Sequence, residues 1–160
     1  MTLSPVKMHI PEEANIIVGQ SHFIKTVEDL YEALATSGIA LKFGIAFCES
    51  SQECLVRWDG NDRELIDSAV ANAQAIGAGH VFVIVLRGGF PINVLNAIKN
   101  CPEVCRVFCA TANPLEVIVI EREHGRGVVG VVDGLSPAGV ETEKHQQVRR
   151  EFLRKIGYKR

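Results

Sequence analysis

Among the residues whose type and spacing could do chemistry, His145 and Arg149 in "VETEKHQQVRREF" form the sharpest pair. At about 100° per helical residue, Val148, Phe152 and Ile156 mark the inward stripe of a terminal helix, and His145 and Arg149 fall within that direction. The histidine is therefore expected to face away from bulk water. With Thr142 as N-cap, His145 is the third helical residue. Free N–H groups and the positive end of the helix dipole favour an anion there. A neutral imidazole nitrogen is a nucleophile near neutral pH, so the position suits a phosphorylated imidazole with Arg149 as its cationic partner. A structural or capping role suits it too, and is the commoner use of a histidine at a helix start.

Three other segments carry candidate contacts. In "LRGGFPIN" a buried strand ends in two glycines before a helix begins. Gly88 and Gly89 would let a planar or anionic ligand approach the backbone, Arg87 could meet phosphate, Phe90 could stack on a base and Asn93 could read its edge. A tight turn with Phe90 in the core explains the same residues. Thr111 and Asn113 in "ATANP" either bond their own turn or contact a sugar or base. Asp133, before the "LSPAG" arm, suits Mg²⁺, a ribose hydroxyl or turn initiation.

Gly125, Gly127 and Gly130 match GxGxxG, but they lead into a strand, whereas a dinucleotide fingerprint must open a helix. They read as a hairpin turn with positive φ at Gly125 and Gly127, or as a backbone surface for phosphate beside His124 and Arg126. No Walker A or protein-kinase motif set occurs. His9, His22 and His80 are explained by packing or hydrogen bonding. The basic set from Arg149 to Arg160 reads as a solvated face, with phosphate contact as the alternative.

The elements that must position these residues follow from pattern. "NIIVGQ", "ALKFGIAF", "CLVRW" and "HVFVIVL" read as strands, the second and third as a hairpin across "CESSQE". "TVEDLYEALATSG" is a helix with Thr26 and Asp29 at its start and Gly38 as its stop. "NDRELIDSAVANAQAIGAG" is a helix capped by Asn61 or Asp62, with Leu65, Ile66, Val70, Ala73 and Ile76 inward and Gly77 or Gly79 as its end. Pro91 opens a third helix. Residues 104–133 read as a three-strand antiparallel meander, and a last helix from about Glu143 to Gly157 closes the chain. The expected fold is an α/β single domain over residues 1–160: a three-layer mixed sheet with helices on both faces, a C-terminal meander and a closing helix.

Bulk properties bound the partners. A chain of 160 residues, 47% apolar and 22% charged, is one ordinary ordered unit. A net charge of -2 gives no field for a nucleic-acid backbone. The longest apolar runs fall short of the roughly 20 residues of a membrane helix, and no signal-peptide core opens the chain, so a cytosolic protein without membrane contact is expected. Cys48, Cys54, Cys101, Cys105 and Cys109 are an odd set, expected reduced. In "CPEVCRVFC" Pro102 and a strand-like composition keep three sulfurs off one face, which argues against a metal and for small buried hydrophobes.

"GQSHFIKTVEDLYEAL", "LKFGIAFCESS", "LVRWDGND", "GGFPINVLNAIK", "CRVFCATANPLEVIV", "GRGVVGVVDG" and "KHQQVRREFLRKIGYK" together resemble the adenosine-specific kinases, a small archaeal and bacterial family, over nearly the whole chain. The resemblance implies a mixed α/β domain in homo-oligomers, expected to be trimers, that binds adenosine and adenine nucleotides. It also implies a phosphohistidine near the start of the last helix, matched by His145. The expected activity is phosphoryl transfer from ATP or another adenine nucleotide through His145 to adenosine, giving AMP, with Mg²⁺ as accessory. A non-catalytic nucleotide sensor, or a structural oligomer, is the alternative.

Overall fold

In the computed structural model, which describes residues 2–160, the chain runs β1 (Thr2–Lys7), β2 (Asn15–Ser21), α1 (Thr26–Ala35), β3 (Lys42–Cys48), β4 (Val56–Gly60) and α2 (Arg63–Ile76). It continues as β5 (Val81–Arg87), α3 (Pro91–Lys99), β6 (Val104–Thr111), β7 (Leu115–Arg122), β8 (Gly125–Asp133) and α4 (Glu143–Lys155). The unbroken apolar run of β5 demands cover on both sides, and its residues Val81 to Leu86 are all buried at the centre of a five-stranded sheet of order β4-β3-β5-β2-β6.

Alternate residues sort into two cores. Ile17, Phe43, Ile45, Phe82 and Ile84 pack on α1 and α3 through Leu30, Leu34, Val94 and Ile98. Ile16, Val18, Ala46, Val83 and Val85 meet α2, through Leu65, Ala69, Ala73 and Ile76, and also meet Val117 and Val119 of β7. The result is the expected α/β domain with helices on both faces. α2 starts where Asp62 accepts the Leu65 N–H at 3.2 Å and ends at Gly77, φ +59°. It lies so close to β3 that a Cβ on Gly44 would sit 2.2 Å from the Ile66 nitrogen.

The strand pairing differs from the expected mixed sheet. Every pairing between these strands is antiparallel. β2 and β3, joined through α1, are parallel but have β5 between them; β5 and β6, joined through α3, are parallel but have β2 between them. Two split β-α-β units thus interdigitate, each filling the other's gap with an antiparallel strand. The expected meander is also divided. β6 pairs with β2, whereas β7 and β8 form a second sheet of order β1-β7-β8, so "TANP" links two sheets. Pro5 disguised β1, an edge strand where a missing N–H is tolerated.

Three local expectations change as well. Thr26 is the first residue of α1, not its cap, because its hydroxyl turns inward to the Phe23 carbonyl at 2.6 Å and to Ser21 Oγ at 2.7 Å. Only Cys48 of the cysteines is buried; Cys105 and its neighbours lie on or before the edge strand β6. The last helix does not close over the core. No residue of α4 is buried, and Val148, Phe152 and Ile156 are 58%, 57% and 45% exposed. Its apolar stripe, set among charged residues, is left largely exposed among the described residues.

Candidate functional site

The registers place the Arg87 turn and the Thr111 segment at one end of the five-stranded sheet. Asn15 pairs with Leu86 and Ile16 with Thr111, so β2 alone lies between them, about 10 Å for two strand spacings. Arg87 bonds inward: Nη1 to Glu64 Oε2 at 3.0 Å, and Nε and Nη2 to the Glu12 carbonyl at 3.2 and 3.0 Å. Gly88 has φ +81°. Asn93 Oδ1 accepts the Phe90 N–H at 2.8 Å, so its side chain caps α3, while Phe90 is 56% exposed and outside the core. Asp133 Oδ1 accepts from Thr111 Oγ1 at 2.7 Å and Asn113 Nδ2 at 3.1 Å, and Thr111 Oγ1 takes the Asn113 N–H at 3.0 Å. Sequence spacings of 20 and 22 residues hid this convergence.

Gly125, Arg126 and Gly127 stand at the other end. Seven-residue β5 puts about 20 Å between the two ends at ~3.3 Å per residue. One small ligand cannot touch both sets in a single chain. Arg126 pairs with Ala78, donates to the Ala75 carbonyl at 3.2 Å and bonds Glu121. Gly125 alone of the two turn glycines has positive φ; Gly127 is an extended strand residue opposite Ile120.

Here the hairpin tip, the end of α2 and the loop after β3 border an open cavity of about 520 Å³, lined by Cys48, Ser50, Cys54, Gln74, Gly77, Gly79, His124 and Arg126 among others. Three of the four non-glycine residues with positive φ among the described residues, Gln52, Cys54 and His80, belong to this end. The His80 ring stacks on Phe47 with centroids 5.9 Å apart, and the His80 backbone N–H donates to the Cys48 carbonyl at 2.8 Å. Glu49 is occupied by Ser51 and Arg57. Burial pushes the Cys48 thiol up to about 11, so it stays protonated. Sequence reading missed Ser50 and Gln74; the polar break "CESSQE" between apolar strands was a signal for Ser50 alone, while His80 has the packing role expected of it.

His145 is exposed, contrary to the expected inward direction. Its Nδ1 lies 3.1 Å from both the backbone nitrogen and Oγ1 of Thr142. Arg149 is paired with Glu141, Nη2 to Oε1 at 2.6 Å and Nε to Oε2 at 3.3 Å, and this guanidinium holds the Glu141 carboxyl below its usual range. Neither His145 nor Arg149 lines the cavity of its own chain.

Among the described residues all five cysteines are free, and no three His, Cys, Asp or Glu residues gather as a metal cage. No helix among them is long and apolar enough to cross a membrane. No curated protein matches the chain. A solved structure that does is the PH1918 protein from Pyrococcus horikoshii OT3, 48% identical, with a TM-score of 0.95 over 99% of this chain and 98% of that one. The family model described as "Adenosine specific kinase" matches residues 6–159, nearly the whole chain, with the His145 helix and both sheet ends inside the match, and the chain therefore belongs to the adenosine-specific kinase family.

Proposed function

We propose that this chain binds adenosine and adenine nucleotides and moves a phosphoryl group from a nucleotide such as ATP to His145 and then to adenosine, giving AMP. The observation that carries this reading is His145 itself: an accessible imidazole in the first turn of a helix, where an added phosphate meets N–H groups and a favourable dipole. Arg149, one turn on, supplies the cation once the phosphate competes with Glu141.

The hairpin-end cavity is of nucleoside size. In this reading Gln74 and Ser50 supply polar contacts, and Gly125, Arg126 and His124 line the phosphate side. A second placement, at the Arg87 end, is favoured by the exposed Phe90 ring beside Gly88 and Gly89, with Asn93, Thr111, Asn113 and Asp133 on the same edge. Mg²⁺ would arrive on the nucleotide's phosphates, needing one or two carboxylates rather than a protein cage, and Asp133 suits that role. The exposed apolar stripe of α4, with Leu135 and Val140 96% and 94% exposed, supports a homo-oligomer, read as a trimer, in which α4 meets another copy. The protein is read as cytosolic, with neither nucleic acid nor membrane as partner.

Transfer from γ-labelled ATP tests the reading. Acid-labile label on the wild type, lost in His145→Ala and recovered in AMP after adenosine is added, is the expected result. Label that stays on His145 would favour a nucleotide sensor, and no label would end the phosphotransfer reading.

A further inference from the structure

The two contacts at His145 Nδ1 decide which ring nitrogen can react. A backbone N–H can only donate, so its 3.1 Å contact holds Nδ1 as an acceptor and puts the neutral ring's proton on Nε2. In that tautomer neither nitrogen is a free nucleophile: the Nδ1 lone pair is occupied and Nε2 has none in the ring plane. Thr142 Oγ1, also 3.1 Å from Nδ1, offers the alternative, because a hydroxyl oxygen can accept. With Nδ1–H donated to Oγ1, Nε2 carries the lone pair. Both Thr142 groups converge on Nδ1, which leaves Nε2 as the nitrogen open to a ligand.

We infer that the phosphoryl group is carried on Nε2 of His145 and that Thr142 is a positioning residue whose hydroxyl makes the reactive tautomer available. This rests on His145 being the phosphoryl acceptor. The Nε2 lone pair forms the N–P bond while the bond from the γ-phosphorus to the β,γ-bridging oxygen breaks, and the nucleoside diphosphate leaves with that electron pair. The ring is then a cation with its proton on Nδ1, shared with Thr142 Oγ1. Loss of that proton to water lets Nδ1 accept the Thr142 N–H again. Thr142 is exposed at the helix start, and neither Val nor Ser there disturbs the buried core.

The test is independent of nucleotide. The full-length protein, with ¹⁵N-labelled histidine, is treated with phosphoramidate as a small phosphoryl donor, and phosphorus–nitrogen coupling identifies the modified atom. Phosphorus on Nε2 of His145 is expected. Thr142→Val should slow this modification by at least about tenfold and shift the ¹⁵N spectrum of the unmodified ring toward the Nε2–H tautomer, while Thr142→Ser should stay near the wild-type rate. Phosphorus on Nδ1, no reaction at His145, or a Thr142→Val variant modified as fast as wild type would each overturn the inference. Failure of γ-labelled ATP to label a protein that phosphoramidate modifies on Nε2 would instead sink the kinase reading and leave this one standing.

Discussion

On the proposed mechanism, a phosphorylated His145 would compete with Glu141 for the one Arg149 guanidinium. The Arg149 pair with Glu141 is exposed, so breaking it costs little stability, and its effect should appear in phosphate chemistry instead. Glu141→Gln is expected to raise the steady-state fraction of phosphorylated protein severalfold in the γ-label experiment, with the melting temperature nearly unchanged. A fall in that fraction would show that Glu141 orients Arg149 rather than competing for it. In the cavity, Gln74→Ala should weaken adenosine binding by roughly fivefold, the loss of about one hydrogen bond, measured by calorimetry. Unchanged affinity in Gln74→Ala together with a loss in Phe90→Ala would move the nucleoside to the Arg87 end. Residue types were legible in sequence here; which of them are already spent on internal bonds, as Arg87 and Asn93 are, was not, because their partners lie on other elements or at a cap.

At the scale of elements, the junction of α1 with the loop before β6 holds an acid pair. Glu103 is 2% exposed, and neither carboxyl oxygen has a hydrogen-bond donor beside it. Burial, and then the neighbouring Asp29, raise its pKa above the usual 4.5, while Lys25 bonds Asp29 at 2.6 Å and lowers that carboxyl. A raised folded-state pKa means that the stability contributed by neutral Glu103 is full below its ordinary 4.5 and lost as pH rises through the folded value. Glu103→Gln should therefore be the more stable form at pH 8, by on the order of 1 kcal/mol, with the advantage vanishing near pH 4. Equal differences in denaturation midpoint at both pH values would contradict this. Tight helix–sheet contact makes a second prediction: Gly44→Ala forces a Cβ into the α2 backbone and should cost about 3 kcal/mol, read as a lowered urea midpoint. The glycine was visible in sequence, but the reason for it was not, since the clash is with Ile66 on a different element.

For the whole molecule, the unburied α4 sets the expectation. Phe152→Glu should leave the folded core intact and lower the mass seen by sedimentation from oligomer to monomer, because Phe152 contributes nothing to either core. A wild-type protein that is monomeric at micromolar concentration would refute the assembly. What the sequence determined by itself was local. Period-two and period-3.6 apolar patterns, the Asp62 cap, the Gly77 stop and Pro91 at a helix start fix most strands and helices, because each depends on neighbours in the chain. Only the tertiary structure decided strand partners. An alternating or buried strand looks the same whether its neighbour is parallel or antiparallel, so the interdigitated β-α-β units and the division of β6 from β7 depend on long-range pairing alone. That same pairing set Gly125 and Arg126 a strand length from Arg87, gathered Thr111, Asn113 and Asp133 at one edge, and left the His145 helix with no buried residue.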